Sequence, residues 1–147
     1  MIFKEPPVDF NKQFDIVGCY VMHEDRFLML HRHAWKPNGN TWGLPAGKRD
    51  GEESLLHAMQ RELREETGIR VLESELRYFD HVSVRHDEHD FRYHMFSLSF
   101  DEALEIQLSE SEHQAFRWVT PNETLSMPLV HDQDECIRMF FGRVLVE

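Results

Sequence analysis

The sequence is short of basic residues. Its 147 residues include 16 Lys and Arg against 27 Asp and Glu, which gives a formal net charge of −11. No run of Lys or Arg reaches even three residues. Proteins that bind long nucleic acids through phosphate contacts normally carry a basic patch or stripe. The composition therefore argues against a long nucleic acid as a partner.

Long apolar runs and cysteines are also scarce. The longest nearly apolar run, Ile16 to Met22, is too short to cross a bilayer. The first 13 residues contain charges and two prolines, where a secretory signal would be apolar. The two cysteines, Cys19 and Cys136, form no CxxC pair. We expect a cytoplasmic protein with no membrane partner and with free, buried thiols, the alternative being a disulfide.

The hydrophobic pattern predicts strands and helices in mixed order. The composition, 41% hydrophobic and 12% aromatic, is sufficient for a core, and a chain of this length normally makes a single domain, here residues 1–147. Two helices separated by strands indicate an α/β sandwich. The predicted strands cover 14–22, 27–32, 41–45, 69–84, 91–100 and 115–119, and the predicted helices cover 54–67 and 129–144.

The first predicted helix carries three glutamates on one face. Glu62, Glu65 and Glu66 stand at positions i, i+3 and i+4, which share one side of a helix. Like charges at i, i+4 are unfavourable, and the C-terminal end of a helix favours cations. A bound Mg²⁺ or Mn²⁺ would favour this arrangement, because both ions prefer carboxylate oxygens as ligands. The alternative is a solvated acidic face in which Arg61 pairs with Glu65.

The three glutamates belong to a longer motif, GKRDGEESLLHAMQRELREETGI, from Gly47 to Ile69. This segment resembles the signature of the Nudix hydrolases, Gx5Ex7REUxEExGU with U aliphatic, without a departure. It covers 23 of the 147 residues. The resemblance implies a Nudix-type α/β/α sandwich with a mixed sheet, in which this motif, the Nudix box, forms a loop, a helix and a loop.

The resemblance also implies roles for the residues of the box. Arg61 orients the acidic side chains, Glu53 holds the box loop, and Gly68 ends the helix. Mg²⁺ is the implied cofactor, for which Mn²⁺ can substitute. The implied metal ligands are the three glutamates and one backbone carbonyl: Glu62, Glu65 and Glu66, with Ala46 or Gly47.

A further carboxylate is expected from a later loop. In MutT-like members of the family, a metal-associated glutamate stands six residues before a Trp that begins a final strand, and Glu112 and Trp118 reproduce that interval. Glu110 is the nearby competitor, and a solvated loop acid is the alternative for either. The general base that activates water is either Glu65 or Glu112, and Glu66 and Arg61 complete the implied catalytic group.

Several residues are candidates for substrate binding. Arg32 ends a predicted strand where many family members place a phosphate-binding arginine, and Lys48 follows the box glycine. His33 and Trp35, in a loop, are candidates for stacking on a base. His131 and Asp132 lie at the start of the predicted second helix, where relatives often contact the base edge. A surface salt bridge is the alternative for Arg32, and packing is the alternative for the aromatic residues; Phe10 and Phe14 are assigned to the core.

The histidines between His81 and His94 are interpreted as part of a solvated hairpin loop. His86 and His89 have the spacing of a transition-metal site, but no matching Cys or His pair stands at a usable distance in the sequence. We therefore assign them no metal.

The resulting hypothesis is a Mg²⁺-dependent enzyme of MutT type that cleaves a nucleoside triphosphate to a monophosphate and pyrophosphate. Its substrate would be a small nucleotide, and the chain a monomer or homodimer. The enzymatic alternative is hydrolysis of a nucleotide sugar, ADP-ribose or a dinucleoside polyphosphate. The alternative of another class is a nucleotide-binding regulatory module that has lost catalysis.

Overall fold

The computed structural model describes residues 1–142. Short 3₁₀ turns at Glu73–Glu75 and Asn122–Ser126 accompany the regular elements. These elements are β1 (Ile2–Phe3), β2 (Phe14–His23), β3 (Arg26–Arg32), β4 (Trp42–Gly43), β5 (Ala46–Lys48), α1 (Leu55–Thr67), β6 (Arg77–His86), β7 (His89–Phe100), β8 (His113–Val119) and α2 (Gln133–Phe141).

Strand β2 organises the mixed sheet. It pairs in parallel with β7 along its length, beginning with Phe14 opposite Phe91. Strand β3 pairs with β2 only beside their hairpin turn, from Met22 opposite Phe27, and continues against β8. Strand β5 pairs with β2 at residues 16–18 instead. Strands β2 and β3 therefore diverge away from the hairpin, which leaves a space between the start of β2 and the end of β3.

The two helices cover opposite faces of the sheet. Successive residues of a strand point to opposite faces, so Val17 and Val21 of β2 pack under α1 with Met59 and Leu63. On the other face, Tyr20 packs with α2. This three-layer arrangement with a mixed sheet confirms the predicted fold class.

The two cysteines lie on opposite faces of the sheet. Cys19 is buried in the cluster beneath α1, whereas Cys136 is buried in the cluster beneath α2. Both are free thiols, as predicted. The sheet lies between the two sulfur atoms, which removes the disulfide alternative.

The predicted boundaries of two strands and of the second helix were wrong. Strand β6 begins at Arg77, and the predicted strand residues before it form a loop with a 3₁₀ turn whose apolar side chains Ile69 and Val71 pack against the core. Within the predicted strand 41–45 only Trp42–Gly43 is a strand, β4, and β5 begins after it at Ala46. Buried apolar loop residues and strand residues look alike in a sequence, because burial alone sets the pattern.

Helix α2 begins at Gln133, four residues later than the predicted Leu129. The preceding residues run beside β4 instead: Val130 N–H donates to the Trp42 carbonyl at 2.8 Å, and Trp42 N–H donates to the Pro128 carbonyl at 2.8 Å. The predicted end at Val144 lies outside the described residues. Within residues 1–142, no helix is both long and apolar enough to cross a membrane.

Candidate active site

The Nudix box folds as β5, a loop and α1. The Ser54 hydroxyl oxygen caps the helix by accepting the His57 N–H at 3.1 Å. At the other end, Gly68 has φ 76°, a left-handed conformation that glycine adopts without steric cost, and its N–H donates to the Arg64 carbonyl at 3.0 Å. These caps fix the helix between the first and last positions of the motif.

Two of the three glutamates are tied to β5. The Glu66 carboxylate accepts the Ala46 N–H at 2.9 Å. The Glu62 carboxylate packs directly on Gly47, where an added Cβ would collide with it. Gly47 does not have a positive φ, so its backbone conformation does not call for glycine. The close approach of the Glu62 carboxylate favours glycine at this position. The carbonyl of Ala46 or Gly47 as a metal ligand stays a prediction.

Arg61 donates hydrogen bonds to several groups of the box. Its guanidinium donates to Glu53 through Nε at 3.1 Å and through Nη2 at 2.6 Å, a two-pronged contact. It also donates to Glu62 at 2.7 Å and to Glu65 at 3.2 Å. The Nη2 group further donates to the Lys48 carbonyl at 3.0 Å. One side chain thus links the loop, the strand and two of the helix glutamates, which is the geometry that an orienting role requires.

The three glutamates differ in environment. Glu62 and Glu66 are buried, at 8% and 5% exposure, whereas half of the Glu65 side chain is exposed. Burial raises the pKa of Glu62. Burial, reinforced by the neighbouring Glu62 charge, raises the pKa of Glu66 well above its usual value. Without a cation, the site disfavours the two negative charges that its geometry brings together.

Glu53 shows the opposite effect. Its hydrogen bonds from Arg61 are the largest cause that lowers its pKa from 4.5 to about 2. Its carboxylate also accepts the Asp50 N–H at 2.8 Å. Glu53 therefore holds the box loop as a charged, paired group.

The later loop brings Glu112 to the box. Ligand atoms of Glu66, Glu112 and His113 all lie within 4.8 Å of one another. Lys36 stands 3.9 Å from the Glu112 carboxylate. Among residues 1–142, Glu110 joins no such cluster, and its carbonyl contacts the His33 ring instead.

His113 was not predicted. It is 4% exposed, and its Nδ1 is buried with no hydrogen-bond partner in the described part of the chain. Burial, followed by the positive charge of Arg32, lowers its pKa to about 4, so the imidazole is neutral at pH 7. The only sequence signal for His113 is its position next to Glu112.

A cavity of about 760 Å³ opens between β2 and β3, beside the box. Arg32 and Lys48 are among the residues that line it. The Arg32 Nε donates to the Pro37 carbonyl at 2.8 Å, so this side chain also holds the following loop. The Lys48 ammonium lies 4.2 Å from the centre of the Phe14 ring, at cation–π distance.

Aromatic side chains line the same cavity. Phe14 and Phe91 stack in parallel with ring centres 5.2 Å apart, and Tyr93 lies further along β7. The assignment of Phe14 to the core was wrong, because the divergence of β2 from β3 exposes the start of β2 to the cavity. No pattern in the sequence indicates that divergence.

The remaining substrate-binding candidates fall into two groups. His131 and Asp132 line the cavity beside the start of α2. His33 and Trp35 stack on each other with ring centres 4.0 Å apart, and Trp35 is 72% exposed. Among the described residues, these two aromatic rings lie outside the lining of the cavity.

The histidines after β6 are only partly a hairpin loop. His86 and His89 flank the β6–β7 turn, and the His86 ring stacks on His131 at 4.0 Å. His94, however, is buried within β7 and bonds to Asp15 at 2.9 Å. His94 therefore lies in the strand predicted for 91–100, away from the turn that His86 and His89 flank.

The donor set suits a divalent cation. Clustered carboxylate oxygens and an unpartnered ring nitrogen are metal ligands, and a cation would offset the repulsion between the buried glutamates. The adjoining cavity, within the size range of small-molecule sites, carries both cationic and aromatic groups. The arrangement can therefore hold a small anionic ligand against a metal.

Comparison with known proteins agrees with this geometry. The model of the NUDIX domain matches residues 12–140. The chain is 30% identical over 126 residues to the phosphatase NudJ of Escherichia coli K12, covering 82% of this chain and 80% of NudJ.

Two solved structures share the fold. The solution structure of the E. coli ORF135 protein superposes with a TM-score of 0.74 at 25% identity and covers 95% of both chains. The NUDIX domain of Shewanella oneidensis NrtR, complexed with ADP ribose, gives a TM-score of 0.76 at 21% identity, over 95% of this chain and 94% of that domain. With its intact box and this match along most of its length, the chain belongs to the Nudix family and is a hydrolase of pyrophosphate linkages.

Proposed function

We propose that the chain hydrolyses a nucleoside triphosphate to a nucleoside monophosphate and pyrophosphate, with Mg²⁺ as cofactor. The observation that carries the proposal is the continuity of one cavity. Its lining includes Ala46 and Gly47, which contact the carboxylates of Glu66 and Glu62. The same lining includes the stacked pair Phe14 and Phe91. A nucleotide has matching ends, a polyanion and a flat aromatic base.

The cationic side chains support one orientation of the nucleotide. Arg32 pairs with His113 across the cavity lining, and Lys48 belongs to the box, so both side chains would bind phosphate oxygens. Phe14 and Phe91 would pack against the base, and His131 and Asp132 would contact its edge. The opposite orientation would place phosphates beside Asp132, which is electrostatically unfavourable.

The chemistry requires a held diphosphate and an activated water. A divalent cation bound by the glutamates would neutralise the diphosphate and make its phosphorus more electrophilic. Arg61 would keep Glu62 and Glu65 in their binding positions through its hydrogen bonds. A carboxylate, Glu65 or Glu112, would take the proton from the attacking water.

A substrate panel tests the proposal. Nucleoside triphosphates, nucleotide sugars, ADP-ribose and dinucleoside polyphosphates would be incubated with the protein and Mg²⁺, and phosphate, pyrophosphate and nucleotide products quantified. We expect a triphosphate to be the best substrate and pyrophosphate to be the product. Preference for another compound class, or binding without any turnover, would refute the assignment.

Two sets of variants test the site. Glu66→Gln should abolish most turnover, whereas Glu102→Gln, at an exposed acid outside the box, should leave it unchanged. Between Glu65→Gln and Glu112→Gln, the variant that removes the general base should lose about 10²- to 10⁴-fold in kcat. Hydrolysis in ¹⁸O-labelled water would identify the phosphorus that is attacked, from the product that carries the label.

A further inference from the structure

The start of β8 places an imidazole at the metal-facing end of the cavity. His113 is 4% exposed and lines the cavity, and its Nδ1 has no hydrogen-bond partner within residues 1–142. A buried ring nitrogen without a partner destabilises the folded state. Buried polar groups are nearly always satisfied, so the orphaned nitrogen points to a ligand.

The backbone holds His113 in this position. Strand β8 has a bulge opposite β3: Arg32 pairs with His113, His31 pairs with Ala115, and Gln114 is skipped. The Gln114 side chain turns outward and donates to the Arg32 carbonyl at 3.0 Å. Bulges re-aim side chains and are frequent beside active sites. The irregular pairing thus sends the neighbouring imidazole inward.

The same turn is fixed to helix α1. The Ser109 N–H donates to the Glu66 carbonyl at 3.3 Å, and the His113 N–H donates to the Ser109 carbonyl at 3.0 Å. The Glu112 N–H donates to the same carbonyl at 3.0 Å. Ser109 therefore connects the backbone of Glu66 to that of Glu112 and His113. The ligand atoms of these three residues lie within 4.8 Å of one another.

We propose that Glu66, Glu112 and His113 form a mixed carboxylate and imidazole site for a divalent transition-metal ion. Two oxygens and one nitrogen leave positions open for water and substrate, as in other catalytic metal sites. Imidazole ligands favour ions such as Co²⁺, Ni²⁺ and Zn²⁺ over Mg²⁺, which prefers oxygen alone. The inference rests on the metal centre of the proposed function, but its test requires no nucleotide.

Metal binding to the full chain provides the test. Co²⁺ and Mg²⁺ affinities would be measured by calorimetry for the wild type, His113→Gln and the control His81→Gln, an exposed histidine on β6. Loss of the ligand should weaken Co²⁺ binding by at least about 10-fold. Mg²⁺ affinity should change by less than about threefold, because Mg²⁺ gains little from imidazole. The control should bind both ions as the wild type does.

Proton NMR of the Co²⁺-loaded protein gives a direct readout. An imidazole bound to Co²⁺ shows a hyperfine-shifted, exchangeable N–H resonance, which should be present in the wild type and in His81→Gln and absent in His113→Gln. Unchanged Co²⁺ affinity in a folded His113→Gln would overturn the inference. Circular dichroism would establish that the variant folds.

If His113→Gln does not fold, the wild type and Glu66→Gln carry the test. With one Co²⁺ bound, a shifted imidazole N–H that disappears in Glu66→Gln supports the mixed site. Absence of that resonance from the wild type overturns it. A wild type that binds Co²⁺ through His113 but hydrolyses no triphosphate would refute the proposed function and leave this inference standing.

Discussion

The pair formed by Arg61 and Glu53 should be the main electrostatic support of the box. Its two-pronged contact spans 2.6 to 3.2 Å, and the two side chains are 15% and 13% exposed. Removal of one partner from a buried pair costs about 3–5 kcal/mol, because the other charge stays buried and unpaired. Arg61→Ala removes the partner of Glu53 and Glu62 together, so it should fall in that range and lower Tm by roughly 10–15 °C.

Glu53→Ala should cost less than Arg61→Ala. Arg61 would keep its hydrogen bonds to Glu62 at 2.7 Å and to the Lys48 carbonyl at 3.0 Å. We expect about 1.5–3 kcal/mol, the range for a hydrogen bond to a charged group. A double-mutant cycle should therefore give a coupling energy of similar size, measured by urea unfolding at pH 7 in EDTA. EDTA is needed because a bound metal would stabilise the folded state separately.

The coupling should depend on pH with a defined sign. Arg61 lowers the pKa of Glu53 from 4.5 in the unfolded chain to about 2 in the folded protein. As the solution is acidified, Glu53 is therefore protonated in the unfolded state at a higher pH than in the folded state. The stabilisation is then fully present above pH 4.5 and is lost as the pH falls through about 2. The coupling energy should be smaller at pH 3 than at pH 7. A coupling energy near zero at pH 7, or one that rises on acidification, would refute this account of the pair.

Two further substitutions test the metal face and the cavity. Gly47→Ala should weaken metal binding by at least about 10-fold, because the new Cβ displaces the Glu62 carboxylate. The control is Gly51→Asn: Gly51 has φ 50°, a left-handed conformation that Asn tolerates, and an added Cβ there meets nothing within 4 Å, so metal affinity should persist. Calorimetry distinguishes these outcomes, and equal effects would contradict the steric argument. Phe14→Ala should raise KM for the preferred nucleotide by about 10-fold, given about 1–3 kcal/mol for a stacked base. The matched Phe10→Ala, outside the cavity lining, should not raise KM, and a KM effect at Phe10 alone would place the base elsewhere.

The box could be predicted from the sequence because its geometry is local. Glu62, Glu65 and Glu66 share a helix face at any location in a fold, and a helix needs only its caps at Ser54 and Gly68 to begin and end there. The two-pronged contact between Arg61 and Glu53 also lies within one short segment. The spacing predicts the shared helix face of the glutamates, whereas the roles of Arg61 and Glu53 were expected from the family resemblance.

The cavity and the cluster of Glu66, Glu112 and His113 could not be predicted in the same way. Phe14 faces Phe91 because β2 and β7 pair in parallel. The two residues, numbers 14 and 91, are 77 positions apart in the chain. His113 turns inward because a bulge at Gln114 shifts the register against β3. Both features depend on strand pairings that leave no local pattern of spacing.

The glutamates of the box reduce the stability of the metal-free fold. Glu62 and Glu66 are buried with like charges near one another, and burial raises the pKa of each. A carboxyl whose folded pKa is raised contributes stability below its unfolded pKa and loses it as the pH rises, so this cost is present at pH 7. Arg61 offsets part of it at Glu62, but Glu66 accepts only a backbone N–H from Ala46 among the described residues. A cation bound at Glu66 would offset this cost, so metal binding and the stability of the box would be thermodynamically linked.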